Sequence, residues 1–180
     1  MPRRRLGVAL LLPEPSATEV DGLRRALGDG SLGRIPAHLT LVPPVNVAVD
    51  DVPAALDVLS SAASQTRPLD LRLGPVTTFH PVTPVVYLGV DGDVRALGAL
   101  QALRDRIFRS PLERRLTRPF VPHVTLADEI DPVRIPGAVA ALADYVVDVR
   151  FEAVHLLEEG RGRVWRPIAD ASFSRRWRPG

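Results

Sequence analysis

The 180-residue chain has no cysteine and no lysine. The missing cysteine excludes disulfides, thiolate nucleophiles and Cys-based zinc sites, and fits a reducing compartment. The missing lysine makes all 23 basic residues arginine, set against 21 acidic ones. Net charge is only +2, although the isoelectric point is about 9.9. Arginine does not titrate below pH 12, and only two tyrosines and the amino terminus titrate between neutrality and pH 10. The high isoelectric point therefore reflects a flat titration curve rather than a cationic surface, and it does not signal nonspecific nucleic-acid binding. Aromatic residues are scarce, at 5%. Long apolar runs are absent too. Arg3, Arg4 and Arg5 followed by Leu6 to Leu12 imitate a signal peptide, but the run stops at Pro13-Glu14-Pro15 with no small-residue cleavage site beyond it. Nothing approaches the length of a membrane span. The expectation is a first β-strand and a cytoplasmic protein.

Several chemistries lack their signatures. The glycines are scattered and form neither a P-loop nor a dinucleotide fingerprint, which argues against ATP-driven ligation. No Gly-x-Ser-x-Gly elbow is present. No His-x-x-Glu-His or Cys pattern supplies a third zinc ligand.

Two related segments stand out: Ile35-Pro36-Ala37-His38-Leu39-Thr40-Leu41-Val42 and Arg118-Pro119-Phe120-Val121-Pro122-His123-Val124-Thr125-Leu126-Ala127. Side chains alternate faces along a strand. His38 and Thr40 therefore share one face, with Leu39 and Leu41 on the other; His123 and Thr125 pair in the same way, backed by Val124 and Leu126. Each segment offers an imidazole and a hydroxyl over an apolar face that can be buried.

The periodicity predicts a strand over Leu6 to Leu12 and a helix capped by Ser16 or Thr18 and ending near Leu27. The first motif strand follows, from Ala37 to Val42, with its pairing ended by Pro43-Pro44. A second helix is expected from Asp50 or Asp51 to Ser64, with Pro53 in its first turn. Strands are expected over Leu69 to Leu73, Val76 to Phe79 and Val85 to Val90. A long helix should run from Asp93 to Arg109, with Leu97, Leu100, Leu103 and Ile107 at helical spacing. After the second motif come a short helix over Pro132 to Leu142, one long strand from Tyr145 to Leu157 and a last strand from Val164 to Phe173. Residues 1–180 read as a single domain of two lobes, one motif in each, with a frayed tail over 174–180.

On these two motifs, and on the approach Arg118-Pro119-Phe120-Val121-Pro122, the sequence resembles the two-histidine (2H) phosphoesterase superfamily. The likeness is to bacterial proteins labelled 2′-5′ RNA ligase or RNA 2′,3′-cyclic phosphodiesterase. The resemblance covers nearly the whole chain. It implies a bilobal, pseudo-twofold α+β fold with two antiparallel sheets facing a central cleft and helices outside. It also implies chemistry with neither cofactor nor metal, catalysis by His38, Thr40, His123 and Thr125, and a 2′-phosphate product. The chain departs from the family in carrying Asp128 after the second motif, where many members have a basic residue. Val42-Pro43-Pro44 follows the first motif in place of a Phe-Leu-Gly run.

Opening a 2′,3′-cyclic phosphate needs one group to take a proton from water and another to give one to the departing ribose oxygen. Histidine suits both tasks near neutral pH. Threonine hydroxyls can stabilise charge on the nonbridging oxygens. His123 is taken as the base and His38 as the acid, with the pseudo-symmetry leaving the reverse open. Arg118 is a candidate phosphate contact, and Phe79, Tyr87 and Trp165 are candidate stacking partners for a base. His80, in a Pro-rich loop, reads as an exposed His, and His155 as a structural one. The expected partners are RNA termini or small cyclic nucleotides, bound by a monomer with no metal and no membrane. The alternative is a nucleotide-binding or RNA-end-binding module that turns over little.

Overall fold

The structure is a computed structural model that describes residues 1–174. Among those residues the fold is α+β, with eight strands in one curled antiparallel sheet. The strands are β1 (Arg3–Leu11), β2 (His38–Ala48), β3 (Leu69–Thr78), β4 (Val86–Asp91), β5 (His123–Ala127), β6 (Val147–Phe151), β7 (Ala153–Glu159) and β8 (Trp165–Ser172). The helices are α1 (Ser16–Leu27), α2 (Val52–Ser64), α3 (Val94–Ile107) and α4 (Ile135–Ala141). Strand order is β6-β3-β4-β5-β2-β1-β7-β8. The units β1–α1–β2 and β4–α3–β5 thus occupy equivalent places on either side of the centre, and the motif strands β2 and β5 meet there.

The two facing sheets expected from the resemblance are not found: the described strands form one continuous sheet, whose two halves each carry one motif strand. They join through one registered pair, Leu39 opposite Val124. That seam is short, and β5 itself has only five residues.

One face of the sheet is apolar and packs against the helices. Leu6, Leu10, Leu39, Leu41, Leu88, Val124, Leu126, Val154 and Leu156 are all buried in one core with Leu59 of α2 and with Leu100, Leu103 and Ile107 of α3. The alternating pattern of the motif strands leaves the imidazoles and hydroxyls half-buried on the other face.

Three local expectations are corrected. Pro43-Pro44 does not end β2. Between the pairs Leu6–Val45 and Val8–Val42, the two prolines stand against Gly7 alone, a bulge that absorbs residues unable to donate to the ladder. The long strand from Tyr145 to Leu157 is two strands. Before Glu152 the chain pairs with β3 at one edge of the sheet, and after it with β1 in the other half. Strand periodicity carries no sign of which neighbour a strand chooses. Helix α1 begins after Pro15 with no side-chain cap; the Glu14 carboxylate instead accepts from the Thr18 N–H at 3.2 Å. Of the expected tail, Ser174 donates to the Thr66 carbonyl at 2.8 Å; residues 175–180 lie outside the described residues. No helix among the described residues is long and apolar enough to cross a membrane.

Candidate active site

The site grows out of the Leu39–Val124 register. Antiparallel partners step in opposite directions. With Leu39 opposite Val124, His38 falls across from Thr125 and Thr40 across from His123. Both rows continue into the neighbouring strands. Thr40 pairs with Ala9 and His123 with Gly89, so the row crossing the middle of the site is flanked by residues with almost no side chain. That leaves open volume above the two motifs.

The imidazoles are held alike. Nδ1 of His38 lies 2.7 Å from the Pro36 carbonyl oxygen, and Nδ1 of His123 lies 2.8 Å from that of Val121. A carbonyl only accepts, so in each ring Nδ1 carries the hydrogen and Nε2 is left to exchange a proton. Both acceptors lie two residues upstream of the ring that they hold.

Burial pushes His38 down to about 4. The bond to Pro36 opposes that shift, while the charges of Arg24 and His123 reinforce it. His123 is also pushed down by burial, against the pull of its bond to Val121. The two imidazoles are close enough for their charges to interact, and one proton on the pair disfavours a second.

Behind His38 lies a buried ion network. Arg24 is 2% exposed. It donates from Nε to Asp29 at 2.8 Å, and from one terminal nitrogen to Asp21 at 2.8 Å and to the Ile35 carbonyl at 3.0 Å. Burial alone would raise the Asp29 carboxyl, but its bonds to Arg24 and Ser31 hold it below its ordinary value. The network pins the loop that ends in Pro36, whose carbonyl orients His38.

Two cavities open on the motifs. One, of about 640 Å³, is lined by Thr40, His123, Thr125, Phe79, Arg104 and Arg118 among others. A smaller one, of about 120 Å³, is lined by His38, Thr40 and Trp165 among others. Thr40 borders both. An aromatic cluster supports the larger cavity: Phe79 stacks on Tyr87 with centroids 4.1 Å apart and meets the His123 ring edge-on at 5.0 Å.

Comparison with known proteins decides the family. The sequence profile of the 2′-5′ RNA ligase superfamily matches residues 12–163. The chain belongs to the 2′-5′ RNA ligase superfamily. A Bacillus pumilus protein named provisionally as a phosphoesterase is 27% identical over 161 residues, spanning 87% of this chain and 92% of that protein. Among solved structures, E. coli LigT complexed with 3′-AMP superposes with a TM-score of 0.66 at 20% identity, over 97% of this chain and 100% of LigT. LigT has also been crystallised with ATP and with NADP+. A crystal structure titled as a phosphoesterase reaches a TM-score of 0.69 at 19% identity, over 97% of this chain and 100% of that one. At these identities the solved structures show a shared fold.

Thr40, His123 and Thr125 line the larger cavity, while His38 lines the smaller one together with Thr40. Phe79 and Arg118 line the larger cavity, and Trp165 lines the smaller one. Among the described residues Arg118 has no ion-pair or hydrogen-bond partner. Tyr87 is placed differently from expectation. It is 9% exposed and sits beneath Phe79, where it supports the platform rather than presenting a face to the cavity. His80 is exposed. His155 stands opposite Ala9, which in turn stands opposite Thr40, so it shares the face of the motifs one strand removed. Arg24 and Arg104 were not anticipated. Both occupy apolar register positions: Arg24 is four residues after Val20, and Arg104 is four after Leu100 and seven after Leu97. A cation where a helical stripe calls for an aliphatic side chain is the signal that could have found them.

Proposed function

We propose that the protein is a phosphodiesterase that opens 2′,3′-cyclic phosphates at RNA termini or in small cyclic nucleotides, using its two histidines as acid and base. The observation that carries this reading is the matched presentation of His38 and His123. Each is locked through Nδ1 on a backbone carbonyl, with the other motif's hydroxyl across the seam.

In the proposed step one imidazole takes a proton from water at Nε2 as the water oxygen bonds to phosphorus. The bond from phosphorus to one ribose oxygen breaks, and the second imidazole gives its proton to that oxygen. Thr40 and Thr125 donate to the nonbridging oxygens, where negative charge is held. The step consumes water alone; with the 5′-hydroxyl of a second RNA end in place of water, the same attack on phosphorus, with the bond to the 3′ oxygen breaking, joins the two ends through a 2′-5′ phosphodiester as in a 2′-5′ ligase.

The order expected from sequence, His123 as base and His38 as acid, is kept in this proposal; burial disfavours a proton on both rings.

The family and the fold support a phosphoesterase acting on nucleotides; the LigT complex with 3′-AMP supports the nucleotide part. RNA termini as natural partners, a monomeric state and a cytoplasmic location belong to the same proposal. Incubation with the four nucleoside 2′,3′-cyclic monophosphates, followed by phosphorus NMR of the products, tests it. The expected product is a 2′-phosphate. Tight binding without turnover would instead identify a binding module.

A further inference from the structure

The larger cavity holds a cation that the two-histidine chemistry leaves unused. Arg104, on α3, is only 12% exposed. Its guanidinium lies 3.9 Å from the centroid of the Phe108 ring and 5.2 Å from that of Phe120. Its Nε is buried with no hydrogen-bond partner among the described residues. Among the described residues its ion-pair partner is the neighbouring Asp105, 3.5 Å away and 58% exposed. That carboxylate is also bound by Gln101 at 2.9 Å. A buried guanidinium is ordinarily paired and hydrogen-bonded, since burial without a partner costs several kcal/mol. Stacking on aromatic rings offsets part of that cost and fixes the plane of the fork. Arg104 lines the same cavity as His123 and Thr125. Arg118 and Arg114 also line this cavity, with Asp128 as its acidic member. Arg114 is committed to the Pro44 carbonyl at 2.9 Å.

We propose that Arg104 is the receptor for a second phosphate of the substrate, carried on the 5′ oxygen of the same ribose and held apart from the reacting phosphodiester. This rests on the reading above. With the 2′ and 3′ oxygens closed into the cyclic ester, the 5′ oxygen is the remaining ribose position that can carry phosphate. That phosphate is either a terminal monoester or the diester bridge to a preceding nucleotide. A planar, pre-oriented guanidinium suits both.

The test compares kcat/KM for three substrates: adenosine 2′,3′-cyclic phosphate, its 5′-phosphorylated form, and a diadenosine dinucleotide ending in a 2′,3′-cyclic phosphate. The wild type should favour at least one phosphate-bearing substrate over the first by about tenfold, through KM. Arg104→Met should bring that ratio near one, and Arg104→Lys should keep part of it. Preference for the monoester alone identifies a terminal phosphate, and for the dinucleotide alone a bridging one; either supports the subsite. Equal kcat/KM for all three in the wild type, or a preference kept in Arg104→Met, overturns it. Turnover of none of the three refutes the phosphodiesterase reading, and direct binding then decides the subsite. Adenosine 3′,5′-bisphosphate should bind about tenfold more tightly than adenosine 3′-monophosphate, with the advantage lost in Arg104→Met. Equal binding overturns it.

Discussion

Leu39 and Val124 face each other across the seam between β2 and β5, and that one pair sets each motif's imidazole beside the other's hydroxyl. The catalytic proposal is thus a statement about register. A slip of one residue would turn the imidazoles into the core and the leucines into the cleft. The core side chains of both strands, Leu39, Leu41, Val124 and Leu126, are at most 1% exposed, and their burial enforces the pairing.

The hydroxyls should act on the transition state. Thr40→Val and Thr125→Val remove a donor while keeping the shape of the side chain. Each should lower kcat by about 10² to 10³ with little change in KM, the range for loss of one donor to a developing oxyanion. Steady-state kinetics on a nucleoside 2′,3′-cyclic phosphate check this. A rise in KM with kcat intact would make the threonines ground-state contacts.

Stability should depend on pH through His38. Its pKa is lowered from the ordinary 6.5 to about 4, so folding favours the neutral ring. The contribution is present above pH 6.5 and is lost as pH falls towards 4. Calorimetric Tm should decline over that window in the wild type and decline less in His38→Gln. Parallel curves for the two proteins would contradict the burial of a neutral imidazole. Catalysis should follow the same groups. Both imidazoles are lowered, so kcat/KM should trace a bell with its optimum on the acid side of 6.5.

The sequence revealed the site better than its surroundings. Strand alternation identified the face of His38, Thr40, His123 and Thr125, because the apolar partners Leu39, Leu41, Val124 and Leu126 admit one burial pattern. The resemblance supplied the α+β architecture. Neighbour choice in the sheet was not legible. Nothing local separates β6 from β7, although the two pair in opposite halves. Tyr87 and Phe79 are both aromatic and close in sequence, yet burial makes one the support and the other the surface. Arg24 and Arg104 were hidden because a charge count does not show which cations break an apolar stripe.

The Arg24–Asp29 pair should carry both stability and geometry. Arg24→Met leaves the Asp29 carboxylate, 0% exposed, without its cation. Removing one partner of a buried pair costs about 3–5 kcal/mol. Chemical denaturation should show that loss, and Asp29→Asn should show a comparable one. Ordinary stability in Arg24→Met would mean that the loop before His38 is held by other contacts.

Phe79 should serve the substrate as well as His123. Removing the ring in Phe79→Ala should raise KM for nucleoside 2′,3′-cyclic phosphates by about tenfold, within the ~1–3 kcal/mol of base stacking on an aromatic face. Cyclic phosphates without a base should be affected less. Equal loss on both substrate types would assign the ring to positioning His123 alone.

The most direct measurement is turnover of a nucleoside 2′,3′-cyclic phosphate in excess EDTA by the wild type, His38→Ala and His123→Ala. Acid/base catalysis by two imidazoles predicts turnover that survives the chelator and falls by about 10² to 10⁴ in each variant. Activity abolished by EDTA, or kept in either variant, would contradict it.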